Sequence, residues 1–97
     1  AVMLAAGMDG VINKIEPPGS IDKNIFRMTP AERATEGIRC LPWSLQEANN
    51  ALLQDELLCS VLGEYVAAQI NRIGELEWGD YSCAITDWEI KRYLPNY

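Results

Sequence analysis

The chain has 97 residues, 48% hydrophobic and 23% charged, with a net charge of -6 and no histidine. That composition is of a folded chain forming one small domain or a piece of a larger one, and it speaks against disorder. Eight scattered basic residues exclude a concentrated phosphate-binding face for nucleic acid or an acidic membrane surface, and Cys40, Cys59 and Cys83, widely spaced and without histidine, make neither a zinc motif nor a disulfide framework, which points to a reducing cytoplasmic compartment.

The first element is an apolar helix. Val2, Met3, Leu4, Ala5, Ala6, Met8, Val11, Ile12 and Ile15 cover most of its surface, so it is fitted for burial on nearly all sides. Pro17 and Pro18 are expected to close it, since neither donates a backbone hydrogen bond and each turns its predecessor away from helix. The run contains Asp9 and is too short to span a bilayer. A chain this small buries only about 60 to 70% of its unfolded surface, so a helix that asks for cover all round suggests a fragment. Asp9 and Asn13, one turn apart with Lys14 beside them, are expected to share a hydrogen bond or ion pair on the helix's polar strip.

Residues Glu16 to Met28 read as a long loop. Three capping boxes then follow: Thr29 with Glu32, Ser44 with Glu47, and Thr86 with Glu89. The first, with Pro30 at the opening position, starts a helix that Gly37 can end in the left-handed conformation. The second opens a helix from Leu45 to Gln54, and Asp55 caps another through Leu62, closed by Gly63. The longest helix should run from Glu64 to about Tyr81, with Val66, Ile70, Ile73, Glu77 and Tyr81 on one stripe; Gly74 and Gly79 weaken it, and it could end near Gly79. The last runs from Asp87 to Leu94 and is stopped by Pro95. No alternation is long enough for a strand, so the expected fold is all-α with about six helices.

No catalytic constellation is legible. Glu32, Glu47 and Glu89 serve as capping partners, Asp55 as a cap, and Glu75, Glu77 and Asp80 as a solvated face, so structural roles outweigh a metal-site reading of these carboxylates. Ser20, Ser44, Ser60 and Ser82 have no triad partner, and there is no glycine-rich phosphate loop. Trp43, Trp78 and Trp88 lie on separate elements without basic interleaving, as packing residues do. Trp88, Tyr93 and Leu94 form the best candidate docking surface.

The string A-G-M-D-G-V-I-N-K-I (6–15), then Pro17-Pro18 and Asp22-Lys23-Asn24-Ile25-Phe26, resembles the start of the C-terminal part of bacterial type I glutamine synthetases. The likeness continues in order through Glu32-Arg33, Gly37-Ile38, Leu41-Pro42, Ser44-Leu45, Glu47-Ala48, Leu62-Gly63-Glu64 and Glu77-Trp78 to Trp88-Glu89 and Tyr93-Leu94. It implies that residues 1–97 are one helical C-terminal fragment of an α+β catalytic domain, backing the active-site sheet. The catalytic barrel and N-terminal domain would lie upstream. The family forms glutamine from glutamate and ammonia through a γ-glutamyl phosphate made from ATP, with magnesium or manganese. Its metal ligands and substrate arginines lie upstream of this segment, so the resemblance implies no catalytic, cofactor or metal residue here. It implies as partners the upstream part of the same chain and a homo-oligomer of two stacked hexameric rings, with Trp88, Tyr93 and Leu94 at a subunit contact. Phe26 falls where many relatives carry a tyrosine that is adenylylated; without a hydroxyl it is not modifiable. Two other readings stand: a ligase of the same superfamily joining glutamate to an amine or polyamine, and an independent helical interaction module.

Overall fold

The computed structural model describes residues 1–96, which form α1 (Val2–Ile12), α2 (Pro30–Thr35), α3 (Leu45–Gln54), α4 (Glu56–Leu62), α5 (Glu64–Cys83) and α6 (Asp87–Tyr93), with single 3-10 turns at Ile25–Arg27 and Leu94–Asn96. The all-α expectation holds, with six α-helices and no strand among the described residues.

Local chemistry sets most boundaries. At α2 the Thr29 hydroxyl accepts from the Glu32 amide and the Glu32 carboxylate accepts from the Thr29 amide at 2.7 Å, a complete box, and α6 repeats it with Thr86 and Glu89. Asp55 accepts from the Leu58 amide and caps α4. Gly37 (φ 72°) and Gly63 (φ 84°) supply the left-handed turns after α2 and α4.

Four expectations need correction. At α3, Ser44 accepts from the Glu47 amide, but Glu47 reaches one residue further back, to the Trp43 amide at 2.7 Å, so the predicted box is displaced. The extended Ser44 backbone (φ -143°) presents the preceding amide to the carboxylate instead. The double proline does not close α1. Lys14 adopts φ 50°, its amide donates to the Val11 carbonyl, and the Ile15 amide donates to Gly10. That is a Schellman ending centred on Lys14, three residues before Pro17. A residue with a Cβ in this conformation costs roughly 1–2 kcal/mol. Helix α5 does not stop near Gly79 but continues to Cys83, and Pro95 does not end the last element abruptly, because Leu94–Asn96 goes on as a 3-10 turn.

The packed group is α3, α4 and α5, with α1 laid on α4. Helices α3 and α5 cross at Asn49 and Gly74, both buried. The Asn49 amide donates to the Asn71 carbonyl at 2.9 Å, and a Cβ on Gly74 would stand 2.6 Å from the Asn49 carboxamide. The face of α5 that packs is therefore Ala67, Asn71, Gly74 and Trp78, while the apolar stripe of Val66, Ile70, Ile73 and Tyr81 is open.

The molecule is a thin slab, 59 × 41 × 16 Å, with a radius of gyration of 18.8 Å, against about 13 Å for a compact domain of this length. Its accessible surface is 8747 Å², roughly 3,200 Å² above that of a folded protein of equal mass. Among the described residues only Met28, Asn49, Ala67 and Gly74 are buried, and no side chain of α1 is.

Candidate functional site

Three surfaces carry the residues singled out by the sequence. The first is the Phe26 turn. The Asn24 side chain accepts from the Phe26 amide at 3.1 Å, and the Arg27 and Met28 amides donate to the Asn24 and Ile25 carbonyls, so the 3-10 turn is held from within. Two longer ties fix it to α2. Lys23 Nζ lies 2.7 Å from Glu36 Oε1, and Arg33 Nη2 donates to the Met28 carbonyl at 3.0 Å. Phe26 is 97% exposed at the tip. The hydrogen bond to Glu36, then the charge of that carboxylate, holds the Lys23 ammonium pKa above its ordinary value.

The second surface is the α6 end. Trp88 and Tyr93 meet edge to face with ring centroids 5.8 Å apart, and with Leu94 they stay largely exposed. Of the three residues expected to form a docking surface, the fold thus brings Trp88 and Tyr93 together, with Leu94 next in the chain. The third is α1, whose Met3, Leu4, Val11 and Ile12 face solvent. On its polar strip Asn13 Nδ2 donates to Asp9 Oδ1 at 2.7 Å as expected, but Lys14 takes no part.

Among the described residues no three histidine, cysteine, aspartate or glutamate side chains converge as metal ligands. The cap carboxylates Glu32, Glu47, Asp55 and Glu89 each accept from a backbone amide. Hydrogen bonds from the Thr86 amide and then its hydroxyl hold Glu89 below the ordinary carboxylate range. These side chains do not fit a divalent cation or a nucleotide phosphate. Trp43 and Trp78, on separate elements, line one open groove with Leu45 and Tyr81. No described helix is long and apolar enough to cross a membrane.

The residues missed by sequence reasoning are Asn49, Gly74 and Arg33. A polar residue inside α3 and a glycine inside α5 at helical register were the only available signals, and neither names its partner.

Comparison with known proteins places this chain in a family. Residues 1–93 match the family described as glutamine synthetase, catalytic domain. The chain belongs to the glutamine synthetase catalytic-domain family. It is similar to glutamine synthetase of Thermotoga maritima, 43% identical over 94 residues, covering 97% of this chain and 21% of that protein. To glutamine synthetase of Thermus thermophilus it is 43% identical over 97 residues, covering 100% and 22%. To the glutamate–methylamine ligase of Methyloversatilis universalis it is 39% identical over 97 residues, again 100% and 22%. The chain thus spans about a fifth of the length of the glutamine synthetases it matches.

Proposed function

We propose that residues 1–97 are the C-terminal helical portion of an ATP-dependent glutamate–ammonia ligase that forms glutamine in nitrogen assimilation. The observation that carries this reading is the pairing of full-chain similarity to glutamine synthetases with a slab whose first helix, laid on α4, leaves Met3, Leu4, Val11 and Ile12 exposed. Its part is mechanical: it backs the active-site sheet and joins subunits, and alone it is inactive. ATP and magnesium or manganese belong to the parent enzyme, held by residues upstream; among the described residues no three carboxylate or cysteine side chains converge, and Glu32, Glu47, Asp55 and Glu89 are taken up in helix caps. Trp88, Tyr93 and Leu94 contact a neighbouring subunit in a homo-oligomer of two stacked six-membered rings, in the cytoplasm. An exposed edge-to-face aromatic pair beside a leucine is the kind of anchor such contacts use. Phe26 stands on a built, fully presented turn but offers no hydroxyl for adenylylation.

A ligase that takes an amine in place of ammonia is the second reading, favoured by 39% identity to a glutamate–methylamine ligase over the whole chain. Phosphate release from ATP by the complete polypeptide, with glutamate plus either ammonia or methylamine, separates the two. A preference for ammonia is expected, and a preference for methylamine would replace the first reading by the second.

A further inference from the structure

The Phe26 turn is built from within, since the Phe26, Arg27 and Met28 amides donate to the Asn24 side chain, the Asn24 carbonyl and the Ile25 carbonyl. A lone 3-10 turn of three residues does not persist in water without support. Support comes from α2 through two side chains, Glu36 paired with Lys23 and Arg33 bonded to the Met28 carbonyl. The two ties are not equal. The Lys23 and Glu36 side chains are 67% and 36% exposed, and an ion pair in that setting adds little once water screens it and the lysine is immobilised.

Arg33 is placed differently. Its side chain leans back toward the start of α2, as helical side chains do, and so passes the Thr29 cap to reach the residue before it. Nη2 donates to the Met28 carbonyl at 3.0 Å in a part-buried position, and the neighbouring Nε is buried with no partner among the described residues. A charged donor sheltered from water makes a stronger bond than an exposed one. Met28 is itself buried. After Gly37 reverses the chain, Cys40 returns beside the same guanidinium, with its Sγ 3.7 Å from Nη1. The turn, α2 and the segment after it therefore all meet at Arg33.

We propose that Arg33 is the latch that seats the Phe26 turn on α2, and that breaking it frees the turn locally while the packed group of α3, α4 and α5 stays folded. The position of the exposed Phe26 ring is then set by one side chain of α2. The latch is made of contacts within this chain, so it stands whether the parent enzyme uses ammonia or an amine.

The test is amide hydrogen exchange in the complete polypeptide, native and with Arg33→Met, Arg33→Lys or Glu36→Gln. Methionine keeps an apolar stem and removes the donors. Exchange at Phe26, Arg27 and Met28 is expected to rise about tenfold or more in Arg33→Met. It should rise less in Arg33→Lys, which keeps the charge but not the fork, and by less than about threefold in Glu36→Gln, with the amides of α3 and α5 unchanged throughout. A turn that exchanges no faster in Arg33→Met than in the native protein, or one loosened as much by Glu36→Gln, would overturn the proposal. Faster exchange across α3 and α5 in both arginine variants would overturn it as well, since the opening would then not be local.

Discussion

Asn49 and Gly74 show at the scale of single residues how a local preference yields to packing. Alanine at Gly74 would gain about 1 kcal/mol of helix propensity, yet its Cβ would strike the Asn49 carboxamide and force it off the Asn71 carbonyl. Gly74→Ala should therefore destabilise the protein by about 1–3 kcal/mol, and by clearly less when Asn49 is already alanine. A denaturation cycle over the two sites reads this coupling; additive effects would mean that the two helices cross elsewhere. At Phe26 the expected outcome is chemical. Incubation of the complete polypeptide with an adenylyltransferase and ATP should leave the Phe26 peptide unmodified by mass, whereas Phe26→Tyr supplies an exposed acceptor with stability changed by no more than about 0.5 kcal/mol. An adenylyl group on the native peptide would show that the modified position lies elsewhere in the loop.

At the scale of elements, the caps were legible because each is written within four residues. Thr29 and Thr86 formed their boxes as read, and Asp55 its cap. The end of α1 was misread for a related reason: Pro17 and Pro18 are strong breakers, but a Schellman turn at a lysine leaves no signal in composition. The α5 stripe was seen correctly as apolar, while its direction was not, because the sequence of one helix does not say which of two faces meets a neighbour inside this chain. The charged caps make a pH prediction. Glu89 has a lowered pKa, so its contribution is present above the unfolded carboxylate value and is lost as pH falls through the lower folded one; Lys23 has a raised pKa, so its contribution is present below the unfolded lysine value and is lost as pH rises through the folded one. Helicity of α6 should fall on acidification below about pH 4, and Thr86→Ala should remove that acid dependence, as followed by circular dichroism. An unchanged acid limb in the variant would count against the cap as its source.

At the scale of the whole molecule, the mismatch between an over-apolar first helix and a short chain was legible in sequence, and the structure gives it form as a slab with few buried side chains. On the proposed reading, the cover of the slab lies outside these residues. The same reading puts the reaction upstream and gives this segment support and assembly. The direct measurement is glutamate- and ammonia-dependent phosphate release from ATP, made in parallel on the complete polypeptide and on residues 1–97 at equal molar concentration. Turnover by the complete polypeptide and none by residues 1–97 is the expected result; turnover by residues 1–97 alone, or none by the complete polypeptide, would contradict it.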